Sequence, residues 1–119
     1  MLLMTLISLA GAVHPTAVPS APQSTEAVVI RFKTTKTMDG AYHAEAEQTG
    51  CRTRSSARRA APPKGHVVRL RIRPPRAGWC AGTYRAIVYF KQTVSCPPEI
   101  SCGDSAERRV GSTRFTVGA

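Results

Sequence analysis

Acidic residues are scarce in this 119-residue chain: seven Asp and Glu stand against seventeen Lys and Arg, a formal charge of +10. Such an excess points away from acidic-surface proteins and toward anionic partners. Histidine is scarcer still, with three. None of them is spaced with the cysteines as a zinc site requires. The G-x-S-x-G and H-E-x-x-H signatures and a phosphate-cradling glycine loop are all missing. The chain is therefore expected to be no enzyme, with no catalytic residue, cofactor or metal ligand. Glu45 and Glu47 fall on one strand face, a spacing open to two-carboxylate hydrolysis. Acids on a solvent face opposite arginines account for them more simply. Aromatic residues are few, with three Phe, three Tyr and one Trp. No exposed set of them interleaves with the arginines to stack bases, so nucleic acid is not an expected partner. Helical periodicity is missing after residue 25, which leaves an all-β chain.

Long hydrophobic runs are limited to the opening "MLLMTLISLAGA". That run is too short to cross a bilayer, which takes about 20 apolar residues. Its uncharged core and the Ala10-Gly11-Ala12 pattern read as a secretory signal over 1–12, with cleavage as late as 21 as an alternative. Residues 13–25, rich in Pro, Ala, Ser and Thr, read as a flexible linker. A single domain is expected over 26–119, secreted or extracytoplasmic, monomeric, and without a membrane span in its mature form.

A domain of that size buries only about 60–65% of its unfolded surface and is marginal without cross-links. Cys51, Cys80, Cys96 and Cys102 supply them. They form no C-x-x-C pair, and an even count in a small exported domain reads as two disulfides. Three pairings are possible. Cys51–Cys80 with Cys96–Cys102 is preferred, because "CPPEISC" is a short loop already bent by two prolines.

Alternation marks five strands. Val28, Ile30 and Phe32 share one face, as do Tyr42, Ala44 and Ala46. Val68, Leu70 and Ile72 alternate with Arg69, Arg71 and Arg73, and Pro74-Pro75 ends that strand. Tyr84, Ala86, Val88 and Phe90 oppose Ile87 and Tyr89, so this strand is apolar on both faces and reads as central. Thr113, Phe115 and Val117 face inward near the C-terminus. The polar stretch between Cys51 and Gly65 reads as a long loop or one weak edge strand. Five strands at short spacing predict an antiparallel β-sandwich.

Within the fourth strand, "AGTYRAIV" resembles the tyrosine corner of immunoglobulin-like and fibronectin-like sandwiches, in which a Gly precedes a Tyr by two places at the start of strand F. The resemblance implies that the Tyr84 hydroxyl bonds back to the chain and that Gly82 permits the tight approach. It also implies strands B, C, E, F and G at 26–33, 41–49, 66–73, 83–94 and 108–118. The family's strand-F cysteine is here Ala86, so the antibody-type disulfide between the sheets is absent. With C and F antiparallel, Cys51 and Cys80 meet at one pole, and Trp79 is expected to cover their bridge.

Two surfaces are candidates for a protein or an anionic envelope polymer. Arg69, Arg71 and Arg73 present guanidinium groups on one face, with Arg31, Lys33 and Arg85 as possible neighbours. The segment Ser95–Glu107 holds three of the seven acids and no base. Glu99, Ile100 and Asp104 in it are candidate contacts, since a stapled loop loses little entropy on binding. The leading expectation is a non-enzymatic binding or structural module. The alternative is a small secreted inhibitor that presents the 96–102 loop to an enzyme.

Overall fold

The structure is a computed structural model and describes residues 12–93 and 107–118. Within them lie seven strands and no helix: β1 Thr16–Val18, β2 Val28–Lys33, β3 Gly40–Gln48, β4 Cys51–Ala60, β5 Val67–Ile72, β6 Gly82–Gln92 and β7 Arg108–Val117. A three-stranded sheet in the order β1-β2-β5 faces a four-stranded sheet in the order β4-β3-β6-β7. Every pairing is antiparallel.

Period-2 alternation turns alternate side chains toward the facing sheet. On one inner face Val28, Ile30 and Phe32 stand opposite Ile72, Leu70 and Val68. On the other, Tyr42, Ala44 and Ala46 pair with Phe90, Val88 and Ala86, and Tyr84 pairs with Phe115. All of these are buried. The alanines make room for rings, since facing positions must sum to the space available. The Phe32 and Tyr42 rings meet edge to face at 4.9 Å, and Tyr42 lies 5.1 Å from Phe90. The central position expected for β6 holds: it lies between β3 and β7.

One expectation is decided and one is overturned. Of a long loop or an edge strand after Cys51, the structure has the strand, ten residues long and paired along β3. Its inward positions are Ser55, Ala57 and Arg59, so no apolar contrast marked it. A two-residue turn at Thr49-Gly50 and the β3 ladder specify it instead, with Gly50 at φ 90.

Residues 13–25 are not a free linker. Val13 is buried, and its N–H donates to Val110 O of β7 at 2.9 Å. β1 then pairs with β2, and Ser20 O accepts from Thr116 N at 2.9 Å. Pro22 is fully buried. The segment thus passes from β7 to β2 and back, closing the open side of the sandwich. Gly111 makes this possible: a Cβ there would lie 2.7 Å from Val13 O and 2.9 Å from Pro15 Cδ. The expected signal, 1–12, lies outside the described residues but for Ala12.

Candidate functional site

The pole where β3, β4 and β6 meet holds Cys51, Cys80, Gly82 and Tyr84. Cys51 and Cys80 are bridged, with Cα atoms 6.3 Å apart. The fully buried Tyr84 accepts a hydrogen bond from Cys80 N at 2.7 Å, and its hydroxyl lies 3.4 Å from Cys51 Sγ. Gly82 takes φ 119, a region L side chains avoid, and a Cβ there would meet Gln48 Nε2 at 2.5 Å. Gln48 Nε2 in turn donates to Ala81 O at 3.0 Å.

Trp79 is buried in the ring cluster at this pole. Its ring packs edge-on against Tyr84 at 5.0 Å and Phe115 at 5.3 Å. Its Nε1 donates to Glu26 O at 2.7 Å, while its backbone N donates to Ser24 O. It therefore pins the segment before β2 to the ring cluster, while the Tyr84 hydroxyl lies against the bridge.

The arginine stripe lies on the outer face of the three-stranded sheet. Arg69 and Arg71 are exposed on β5, and Arg73 is exposed just beyond its end. β2 stands beside it with Arg31 directly opposite Arg69, Val29 opposite Arg71 and Lys33 opposite Val67. Arg31 and Lys33, foreseen as possible neighbours, therefore join the stripe. Arg85 does not: it belongs to β6 in the other sheet. The mistake arose because alternation gives the face of a residue within its strand, while sheet membership depends on distant pairing.

Five cations thus share this face. Successive outward residues on a strand are about 6.8 Å apart and neighbouring strands about 4.8 Å apart. Two unit charges at 6.8 Å in water repel by about 0.6 kcal/mol, so the cations of this grid repel one another. Among the described residues the only ion pairs are those of His43, with Glu107 at 3.0 Å and Glu45 at 3.7 Å. No described carboxylate answers the arginines of the β2–β5 face. Val67 and Val18 are exposed beside the cations, at 37% and 52%.

The second candidate surface stands differently. Cys96, Glu99, Ile100, Cys102 and Asp104 lie outside the described residues, as does the Cys96–Cys102 pairing. Glu107, from the same acidic segment, turns onto β3 and hydrogen-bonds His43 Nδ1. Among the described residues one group is shifted in its titration. Burial pushes the Tyr42 phenol above its ordinary value of 10.0, and the nearby Arg108 charge opposes part of that rise. The described residues contain no cluster of three His, Cys, Asp or Glu able to hold a metal ion. Sequence reasoning missed Arg85 with Arg114, which stand directly opposite each other on the outer face of the four-stranded sheet. The alternation around each was visible, but their adjacency comes only from the register of β6 with β7. No protein-family model matches this chain, and no curated protein sequence matches it.

Proposed function

We propose that the chain is an exported, non-enzymatic β-sandwich module of the immunoglobulin-like kind that binds a linear polyanion of the cell envelope. The observation that carries this reading is the outer face of the three-stranded sheet: Arg31, Lys33, Arg69, Arg71 and Arg73 together, with no described carboxylate partner. An extended polymer with anionic groups every few ångströms can lie along β5 and meet Arg69, Arg71 and Arg73 in turn. Each guanidinium offers a planar fork to a phosphate, sulfate or carboxylate. The exposed valines give the backbone of the polymer an apolar rest.

The immunoglobulin-like part of the reading is supported by the strand order. First, second and fifth strands oppose fourth, third, sixth and seventh, as A-B-E opposes C′-C-F-G in fibronectin-type sandwiches. The Tyr84 bond four residues back along the chain supports it further. Export is supported by the Cys51–Cys80 bridge, since such bonds persist in oxidising compartments.

The test is retention on immobilised dextran sulfate, with uncharged dextran as the control. The wild type should be held at low salt and released steeply as salt rises, because the Debye length shortens to about 8 Å at 0.15 M. Arg69→Gln/Arg71→Gln/Arg73→Gln should elute much earlier. Retention that ignores salt, or a triple variant that elutes with the wild type, sinks the reading.

A further inference from the structure

A second site lies on the other sheet, at the disulfide pole. A groove of about 700 Å3 opens there, lined by Glu47, Gln48, Thr49, Thr83, Arg85 and Arg114, with Tyr84 and Cys51 at its base. Its size is in the range of small-molecule sites, about 300–1,000 Å3. Its walls are unlike the apolar lining such sites usually have. They offer two guanidinium groups, a carboxylate, an amide and two hydroxyls.

Three features hold this groove in shape without a ligand. The Cys51–Cys80 bridge fixes the β3–β4 turn to the start of β6. The Tyr84 hydroxyl accepts from Cys80 N, and Gln48 Nε2 donates to Ala81 O. Rigid placement lowers the ordering cost of binding.

The polar groups have a consistent chemistry. Arg85 and Arg114 are exposed and directly opposite each other, an arrangement that destabilises a sheet unless an anion sits between them. Glu47 is the register partner of Arg85 on β3, yet neither arginine forms an ion pair with a described carboxylate. Among the described residues no carboxylate occupies either fork, and both can take a ligand oxygen. One row away, the Thr83 and Thr116 hydroxyls bond each other at 3.1 Å and retain further donor or acceptor capacity. A carboxylate and hydroxyls around an arginine pair match a ligand that carries one compact anion on a hydroxylated scaffold.

We propose that this groove binds an acidic monosaccharide unit, with the anionic group between Arg85 and Arg114 and the ring hydroxyls on Glu47, Thr49 and Thr83. This site is separate from the polyanion face and does not depend on it. The shared chemistry fits a uronate or a sugar phosphate, and the experiment separates them.

Calorimetric titration with glucuronate, glucose 6-phosphate, glucose and inorganic phosphate, paired with backbone amide shift mapping, tests the site. At least one of the two acidic sugars should bind saturably and shift the amides of Thr49, Thr83 and Arg85. Whichever of the two binds more tightly identifies the anion. Glucose and inorganic phosphate should each bind at least about tenfold more weakly, about what losing one charged hydrogen bond costs. Arg85→Gln/Arg114→Gln should lose about tenfold or more, while Arg69→Gln/Arg71→Gln should bind as the wild type does. A thermal melt of each variant confirms folding, since all four side chains are exposed. No saturable binding by either acidic sugar overturns the proposal. Phosphate binding as tightly as the tighter of the two acidic sugars overturns it too, as does unchanged affinity in Arg85→Gln/Arg114→Gln.

Discussion

Tyr84→Phe isolates the hydroxyl at the disulfide pole, because the ring contacts survive the change. Its ring stacks on Phe115 at 5.1 Å and meets Trp79 at 5.0 Å, and phenylalanine keeps both. What is lost is the acceptor for Cys80 N, bonded at 2.7 Å, and the contact with Cys51 Sγ. A partly buried donor left without its acceptor costs about 1–3 kcal/mol. In a domain of this length each kcal/mol lowers Tm by about 4–8 °C. Urea unfolding should therefore show a lower midpoint with an unchanged slope. The disulfide offers a second arm. Cross-linking across 29 residues stabilises by about 3.6 kcal/mol in the chain-entropy model. Without it, residues 78–81 can relax and Cys80 N–H can meet water. Tyr84→Phe should then cost less in a Cys51→Ala/Cys80→Ala background, with a coupling of about 0.5 kcal/mol or more. A loss below about 0.5 kcal/mol in the wild-type background, or strict additivity, would refute the role given to this hydroxyl.

Three further outcomes follow from the same structure. Gly111→Val should displace Val13 and Pro15 from β7, because even a Cβ meets Val13 O at 2.7 Å; limited proteolysis should then cut residues 13–20 faster than in the wild type. A chain that begins at Pro22 should melt lower than one that begins at Val13, since it loses β1 and a buried valine worth about 1.5–3 kcal/mol; equal melting would return this segment to a linker. Stability should fall as pH rises above 10, because the raised Tyr42 pKa means the folded state keeps a proton that the unfolded state releases. Tyr42→Phe should lessen that alkaline fall, measured by urea unfolding at stepped pH.

Much of the sandwich was legible because four strands show the core an apolar residue at every second position and the last does so at Phe115 and Val117. β4 was not, since Ser55, Ala57 and Arg59 give its inner face no contrast with its outer one. Edge strands draw on backbone pairing more than on burial, and backbone pairing leaves no mark in composition. The docking of the N-terminal segment is hidden in the sequence for a related reason. Its Pro, Ala and Ser content is that of a linker, yet its docking is decided by a missing Cβ at Gly111, about a hundred residues away. The same divide runs through the sites. Arg69, Arg71 and Arg73 could be placed on one face from their spacing alone. The addition of Arg31 and Lys33, the removal of Arg85, and the pairing of Arg85 with Arg114 required the sheet order.

β6 shows how the two roles share one strand. From Gly82 to Gln92 its inward residues Tyr84, Ala86, Val88 and Phe90 are all buried, while outward Thr83 and Arg85 are exposed. Ile87 is the exception, facing outward between Glu45 and Ser112 yet only 7% exposed. Parity therefore separates stability from binding at neighbouring positions. Ala86→Leu adds volume to a close-packed interior and should cost about 1–3 kcal/mol. Arg85→Gln removes one of two facing like charges and should leave stability unchanged or raise it by about 0.2–1 kcal/mol. If Arg85→Gln instead destabilises the fold by more than 1 kcal/mol, Arg85 holds the sheet together and is no free contact for a ligand. The two variants are one residue apart and carry opposite expectations, so they read the alternation of this strand directly.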